Sequence, residues 1–319
     1  MNYKPIIIVA GEPNSIFFEL FFKVIKKKIK SPIILIASEK LILKQAKILK
    51  KKIKLNIVNE SEILKKKNNL KKINLINVDF NQSSAFDKIT IKSNDYINRC
   101  FKKAIKLLKN NVTNKFINGP ISKKTFLKKK YNGVTEYIAD KTNTKNFAMI
   151  IYNKNLSVCP LTTHLPIKYV SKKINQLEIF NKVKLVNKFW KEKFNKQVKI
   201  GVTGLNPHCE SIDGFNEDKR IILPTIKKLK NLRYNIEGPL SADTIFLKNN
   251  RKKFDLIIGM YHDQVLTPIK TLFEYDAINI TLGLPFIRVS PDHGPNESIL
   301  GKNKSNYLSL LNSIKFLDF

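Results

Sequence analysis

The chain has 319 residues, of which 43% are hydrophobic, so it is long enough to build two domains or one large α/β unit. No apolar run approaches the roughly 20 residues of a membrane-spanning helix, and the first run, residues 5–10, is too short for a secretory signal. The cysteines Cys100, Cys159 and Cys209 are isolated and form no CxxC pair, which argues against a disulfide framework or a thiolate zinc site. We therefore predict a cytoplasmic protein without membrane association.

The formal net charge of +34 allows two interpretations. A nucleic-acid-binding surface would place basic clusters on one face and interleave them with stacking aromatics. Here the lysine runs are spread along the whole chain, at residues 26–28, 50–52, 65–67, 128–130 and 172–173, and arginine, the better phosphate reader, is scarce. This distribution favours a solvated lysine-rich surface and no specific nucleic-acid partner, with a polyanion-binding protein as the remote alternative.

Apolar spacing predicts alternating strands and helices in the first half of the chain. Residues 5–10, 32–37 and 54–58 predict buried strands, and residues 16–29 and 95–108 predict helices. Ser38 can cap a further helix, and residues 79–93 indicate a loop with a short hairpin. The first strand runs into Gly11-Glu12-Pro13 rather than GxGxxG, which excludes a standard Rossmann phosphate loop.

The same alternation continues in the second half. We predict a hairpin from 147–152 and 156–159, a helix over 178–194, strands at 198–203, 256–259 and 278–281, and a last helix, capped by Ser305, that ends near 316. Alternating elements predict an α/β architecture in which helices cover a mostly parallel sheet. Composition shows no domain boundary.

Histidine is rare, with four in the chain, and three of them follow short apolar runs. His164, His208 and His262 each stand where a predicted strand gives way to turn-forming or small polar residues. Three neutral imidazoles can hold a divalent metal and leave coordination positions open for a substrate. The alternative is three unrelated histidines, each hydrogen-bonded in its own turn.

Two further patterns indicate anion binding. The strand at 278–281 ends in a glycine-proline turn that projects Arg288, and with Lys270 it offers a forked and a point cation for a carboxylate or phosphate. The alternative is a surface arginine. The loop 290–296 contains small and polar residues whose backbone N–H groups can surround a ribose or phosphate; by itself this pattern is also that of an ordinary loop.

A collinear series of motifs covers nearly the whole chain: Gly11-Glu12-Pro13, Asn118-Gly119-Pro120-Ile121-Ser122-Lys123, Gly133-Val134-Thr135-Glu136, Thr162-Thr163-His164-Leu165-Pro166, Gly204-Leu205-Asn206-Pro207-His208, Gly238-Pro239-Leu240-Ser241-Ala242-Asp243-Thr244, Tyr261-His262-Asp263-Gln264, Asn279 to Arg288, and Asp292-His293-Gly294. Together these motifs resemble those of the 4-hydroxythreonine-4-phosphate dehydrogenase family.

The resemblance implies the isocitrate/isopropylmalate dehydrogenase type of fold, with two α/β/α domains and the active site in the cleft between them. It implies a homodimer whose interface helps to build each site. Residues 1–130 with 285–319 are expected to form the nucleotide side, and residues 131–284 the metal and dimer side.

The resemblance also implies an activity in pyridoxal phosphate biosynthesis. The expected reaction is the oxidation of 4-phosphohydroxy-L-threonine at its C3 hydroxyl by NAD, or NADP, followed by decarboxylation to 3-amino-2-oxopropyl phosphate. It requires a divalent metal, for which zinc, magnesium, manganese and cobalt are the candidates.

Site residues carry over motif by motif. The implied metal ligands are His164, His208 and His262; the implied substrate contacts are Thr135, Lys270, Asn279 and Arg288; the implied cofactor-binding residues are Asp292, His293, Gly294 and Asn296; the candidate catalytic groups are Asp243, Lys123 and Asp263.

Two departures from the family pattern leave the substrate open. Val134 stands where the family has a histidine that touches substrate, and Asn14-Ser15-Ile16-Phe17-Phe18 replaces a glycine-rich continuation of the first loop. A paralogous dehydrogenase of 4-phospho-threonate or 4-phospho-erythronate is therefore an alternative. A metal-dependent hydrolase is a further one, although the chain lacks an obvious carboxylate cluster for a second metal.

Overall fold

The computed structural model describes residues 3–65, 70–127, 130–212 and 214–319. The chain forms two compact units, Met1–Asn143 with Leu284–Phe319, and Thr144–Gly283. Residues 131–143 were expected in the second domain but belong to the first unit, because Tyr137 and Ile138 pack into its core beside Phe101. The lysines at 66, 67, 128 and 129 of the basic runs lie outside the described residues.

The first unit is a parallel α/β unit with strand order β3-β4-β2-β1-β5-β12. Its elements are β1 (Ile6–Val9), α1 (Phe17–Val24), β2 (Ile33–Ala37), α2 (Glu39–Ile48), β3 (Asn56–Ile57), α3 (Glu60–Leu64), β4 (Ile73–Asn77), α4 (Ser93–Lys109), β5 (Lys115–Asn118), α5 (Val134–Lys141), β12 (Ile287–Pro291) and α12 (Leu308–Leu317).

Both faces of this sheet are buried, as the continuous apolar strands predict. Ile7 and Ile34 point to the face that α4 covers with Phe101, while the neighbouring Ile6 and Ile8, which point the other way, are equally inaccessible. Helix α12 packs against β5 and β12. The predicted cap of α2 is confirmed, since the Ser38 side chain accepts a hydrogen bond from the Leu41 N–H.

The second unit has a mixed sheet with strand order β11-β6-β7-β10-β8-β9, in which β6 is antiparallel to both of its neighbours. Helix α7 packs against β6, β7 and β11, and α11 packs against β7 and β10. Its elements are β6 (Ala148–Tyr152), β7 (Ser157–Thr162), α6 (Val170–Lys173), α7 (Gln176–Phe194), β8 (Ile200–Thr203), α8 (Leu223–Asn231), β9 (Ile236–Leu240), α9 (Ala242–Ile245), α10 (Lys248–Arg251), β10 (Leu256–Tyr261), α11 (His262–Phe273) and β11 (Ile278–Leu282).

The predicted hairpin of β6 and β7 is confirmed, but other local predictions fail for identifiable reasons. Strand β4 was missed because asparagines interrupt its apolar run; the Asn74 amide is nonetheless buried and donates to the Ile33 carbonyl at 3.0 Å. Residues 79–92 form no strand, so the predicted hairpin there is wrong. Ser305 caps no helix; its N–H donates to Glu19 Oε1 at 2.7 Å, and the last helix begins at Leu308.

Within the described ranges, no helix combines the length and the apolar character that crossing a bilayer requires. The thiols of Cys100, Cys159 and Cys209 are free. Burial raises the pKa of Cys100 to about 12 and that of Cys159 to about 11, so both are inert core residues rather than reactive thiolates.

Candidate active site

The three strand-end histidines are brought to one edge of the second unit by its topology. Strands β7, β10 and β8 are adjacent and parallel, with Tyr261 opposite Thr162 and Ile258 opposite Val202. The histidine-bearing turns follow the carboxyl ends of these strands, where ligands bind in parallel α/β sheets. The sequence predicted each histidine at a strand end; the strand order makes the three turns neighbours.

His164 and His262 form a pair. Their ring centroids lie 5.5 Å apart, and the Nδ1 atom of His262 is 2.6 Å from Oδ1 of Asp263. A carboxylate is the usual partner of the ring nitrogen of a ligating histidine that does not bind the metal. It fixes the tautomer and leaves Nε2 available to a metal. The chemistry of this donor set therefore fits a divalent metal.

His208 stands apart from this pair. It lines a cavity of about 420 Å³ together with Glu237, Ser241 and Phe254. Across residues 3–65, 70–127, 130–212 and 214–319, no three His, Cys, Asp or Glu side chains gather closely enough to hold a metal ion. The described part of one chain thus presents two of the three predicted ligands side by side and the third in an adjacent turn.

The backbone is strained at two of these three positions. His164 has φ 48°, and the consecutive residues His208 and Cys209 have φ 54° and 62°. Residues other than glycine rarely adopt this left-handed region, and such strain concentrates where a side chain must be presented in a particular direction. Two of the three predicted ligands therefore occupy conformations typical of functional positions.

The predicted anion site in the first unit is built around Arg288, which is only 2% exposed. Its Nε donates to Asn118 Oδ1 at 2.8 Å and its Nη1 donates to Thr135 Oγ1 at 3.0 Å. Burial lowers the pKa of Arg288 to about 10, against the opposing effect of the Glu136 charge, so the guanidinium stays protonated at neutral pH. A rigid, buried cation with a fixed orientation suits a carboxylate or phosphate.

The other predicted substrate contacts lie in the second unit. Lys270 is half-buried in the last turn of α11, and Asn279 is half-buried on β11. Among the residues that the structure describes, Asn279 Oδ1 is a buried acceptor without a hydrogen-bond donor. Because an unpaired buried oxygen is costly, this atom is suited to receive a donor from a ligand.

The predicted nucleotide loop is anchored at both sides within the first unit. The Asp292 N–H donates to Ser309 Oγ at 2.8 Å, and the Pro295 carbonyl accepts from the Ile16 N–H at 3.1 Å. His293 Nδ1 lies 3.0 Å from the Gly294 carbonyl oxygen, and Asn296 is left-handed with φ 57°. The anchoring gives the loop a defined path.

Glu12 is a candidate functional residue that sequence reasoning did not single out. It is 1% exposed, and its carboxylate accepts from Ser93 Oγ at 3.0 Å and from the Asn14 N–H at 3.2 Å. Burial raises the pKa of Glu12, and the charge of Glu297 acts in the same direction. A buried carboxyl with a perturbed pKa beside a loop is a site candidate. The signal for it in the sequence was the preceding glycine, Gly11, which adopts a φ of 81° that favours glycine.

The three candidate catalytic groups differ in their surroundings. Asp243 is exposed in the first turn of α9, and Lys123 is exposed in a turn after β5. Asp263 is exposed but engaged with His262 Nδ1, as an orienting group would be. All three remain predictions.

Comparison with known proteins gives consistent relatives. The chain is 37% identical over 315 residues, 97% of its length and 95% of the relative's, to 4-hydroxythreonine-4-phosphate dehydrogenase of Sulfurihydrogenibium sp. (strain YO3AOP1). It is 31% identical over 98% of its length, and 97% of the relative's, to a putative D-threonate 4-phosphate dehydrogenase of Oceanobacillus iheyensis.

Solved structures show the same likeness. The 4-hydroxythreonine-4-phosphate dehydrogenase of Klebsiella pneumoniae matches with a TM-score of 0.85 and 26% identity, over 99% of this chain and 97% of that one. A β-decarboxylating dehydrogenase of Thermococcus kodakarensis shares the fold, with a TM-score of 0.50 and 9% identity over 99% and 82% of the chains. The predicted fold class is confirmed.

The profile of the family described as pyridoxal phosphate biosynthetic protein PdxA matches residues 28–317. Together with relatives more than 30% identical over nearly the whole chain, this match confirms the family predicted from the motifs. The chain belongs to the PdxA family of dehydrogenases.

Proposed function

We propose that the protein oxidises 4-phosphohydroxy-L-threonine at its C3 hydroxyl with NAD and a divalent metal, and that decarboxylation then gives 3-amino-2-oxopropyl phosphate. The observation that carries the proposal is the His164–His262 pair with its Asp263 partner at the carboxyl edge of the sheet. The buried Arg288 supplies the cation that a phosphorylated substrate requires.

The chain's own residues bind and orient the substrate and the nucleotide. Arg288, held by Asn118 and Thr135, pairs with one anionic group of the substrate, and Lys270 provides the second cation. Asn279 Oδ1 accepts a hydrogen bond from the substrate. Asp292, His293, Gly294 and Asn296 hold the nucleotide through their anchored loop.

The bond from C3 to its hydrogen breaks and the hydride leaves, while the hydroxyl proton passes to a base, for which Asp243, Lys123 and Asp263 are the candidates. The bond to the carboxylate then breaks, CO₂ departs, and a proton replaces it. A metal held by the imidazoles would act as a Lewis acid on the hydroxyl, and NAD would accept the hydride.

We further propose a homodimer in which a second copy of the chain completes the histidine set. The second unit exposes large apolar side chains near the histidine turns in sequence, among them Ile167 at 67% and Leu177 at 66%, with Ile212 and Phe215 after His208. Exposed apolar side chains of this size mark an interface where they form a contiguous patch. Association would bring His208 of one copy to the pair of the other.

An NADH absorbance assay with a substrate panel tests the function. The purified protein, stripped of metal and reloaded in turn with zinc, magnesium, manganese or cobalt, is offered 4-phosphohydroxy-L-threonine, 4-phospho-D-threonate and 4-phospho-D-erythronate with NAD or NADP. We expect metal-dependent NADH formation that is fastest with 4-phosphohydroxy-L-threonine. No reduction with any combination would reject the proposal, and salt-sensitive polyanion binding alone would support the remote alternative.

A 4-phospho-threonate dehydrogenase is the second candidate function, and Val134 is the observation that favours it. Val134 is half-buried at the first position of α5 and packs against the apolar core, directly before Thr135. The Val134 side chain cannot donate a hydrogen bond to a polar group of the substrate. A substrate that lacks this group would therefore lose no hydrogen bond at position 134.

Replacing Val134 with histidine separates the two candidates. If the valine merely weakens the proposed reaction, V134H should lower KM for 4-phosphohydroxy-L-threonine by about 10-fold, the worth of one good hydrogen bond. V134A, which changes size without adding a donor, serves as the control in the same steady-state measurement. An unchanged KM, with better turnover of 4-phospho-threonate by the native chain, would favour the second candidate.

A further inference from the structure

A chain of hydrogen bonds joins the three histidine turns beneath the site. Gln264, in the first turn of α11, is its centre. Its Oε1 accepts from the Met260 N–H at 2.7 Å and from Thr203 Oγ1 at 2.8 Å, and its Nε2 donates to the Gly204 carbonyl at 2.8 Å. One side chain thus ties the end of β10, which directly precedes His262, to the end of β8.

The series of hydrogen bonds continues from Gln264 in both directions. Towards β7, Thr162 Oγ1 donates to the Met260 carbonyl at 2.8 Å, which connects the turn of His164. Towards His208, the buried Asp218 carboxylate accepts from the N–H groups of Leu205 and Asn206 at 2.8 and 3.1 Å and from the Asn206 amide at 3.0 Å. These bonds hold the strained turn in which His208 stands.

Two glycines make room for this arrangement. A Cβ on Gly259 would lie 2.3 Å from Val265 Cγ1 and 3.1 Å from Gln264 Oε1, and a Cβ on Gly204 would lie 2.6 Å from Asp218 Oδ1. The backbone at both strand ends must therefore be bare for α11 and Asp218 to approach. The hydrogen bonds and the close contacts together fix how α11 and Asp218 pack against strands β10 and β8.

We propose that Gln264 is a positioning residue that holds the start of α11, and with it His262, against the end of β8, and so tunes metal affinity without touching the metal. The inference rests on the proposed function, because it presumes that these histidines are ligands. Its physical basis is that polar groups which orient ligating side chains change metal affinity by about 10- to 100-fold when removed.

Cobalt(II) titration of the full-length, metal-stripped protein, followed by the visible absorption of the bound ion, tests the proposal. Gln264→Met keeps the volume but loses all three hydrogen bonds, and Gln264→Glu keeps the two acceptor roles but cannot donate to Gly204. Gln45→Met is the matched control, because Gln45 is buried in the first unit and donates to the Pro13 and Ala85 carbonyls at 3.1 and 2.9 Å.

We expect both Gln264 variants to bind cobalt about 10- to 100-fold more weakly than the native chain, and Gln45→Met to stay within about twofold of it. The melting temperature of the metal-free protein should fall in Gln264→Met and in Gln45→Met alike, which separates loss of stability from loss of affinity. If Gln264→Met does not fold, Gln264→Glu decides.

Native cobalt affinity in the Gln264 variants, or an equal loss in Gln45→Met, would overturn the positioning role alone. A native protein that binds no cobalt would overturn the metal site itself, and the positioning role with it. The two failures are thus distinguishable in one titration series.

Discussion

His262→Ala should abolish turnover and metal binding together. The variant removes one imidazole of the close His164–His262 pair and leaves Asp263 without its ring partner. A Lewis-acid metal contributes several kcal/mol to the transition state, so we expect the rate of NADH formation to fall by at least about 10³-fold. Metal content of the purified variant, measured by elemental analysis, should fall in parallel.

His293→Ala provides a contrast, because it removes an imidazole from the predicted nucleotide loop rather than from the strand-end turns. It should keep its metal while KM for NAD rises. A His262→Ala protein with near-native activity would rule out the proposed metal site.

Mixing two inactive variants tests whether a second copy completes the site. In a mixed dimer of His208→Ala and His262→Ala chains, a shared site can combine the intact His262 of one chain with the intact His208 of the other. Random exchange should then restore about a quarter of the native rate, since half of the dimers are mixed and each has one intact site. No recovery after exchange, with mixed dimers confirmed by mass, would show that each chain builds its own site.

Arg288→Lys should be the second severe substitution. Lysine keeps the positive charge but replaces the planar fork that donates to both Asn118 and Thr135 with a single ammonium. Disturbing one partner of a buried, hydrogen-bonded charge pair costs about 2–4 kcal/mol, so we expect kcat/KM for the phosphorylated substrate to fall by about 30- to 1000-fold. The loss should appear mainly in KM for the substrate, with KM for NAD unchanged.

Arg99→Lys is the matched control, because Arg99 forms an exposed ion pair with Asp95 on the surface of α4. It should leave all kinetic constants near their native values, as exposed pairs contribute little. The melting temperature of each variant distinguishes lost binding from a disturbed core. Native kcat/KM in Arg288→Lys would show that Arg288 holds the strands together and does not bind substrate.

Much of the architecture was predictable from local pattern. Strands β1 and β2 are unbroken apolar runs, and the hairpin of β6 and β7 follows turn residues, so neither needed tertiary information. Strand β4 escaped prediction because Asn74 is polar in sequence yet satisfied by the Ile33 carbonyl of the next strand. A polar residue that finds a distant partner looks like a loop residue until that partner is known.

The site residues likewise divide into those that the sequence predicted and those that only the structure identified. His164, His208, His262 and Arg288 were predicted from strand ends and family motifs. Glu12, Gln264 and Asp218 were not, because a buried carboxyl or amide acquires its role only from what surrounds it.

The amino-acid sequence alone determined the fold class, the family and the candidate ligands, since periodicity and collinear motifs are properties of the chain. The tertiary structure alone decided that β10 lies between β7 and β8, that His164 and His262 meet while His208 stands apart, and that Arg288 is buried against Asn118 and Thr135. The physical reason is separation along the chain: these residues lie tens of residues apart, and their distances depend on strand order and packing, which no local pattern encodes.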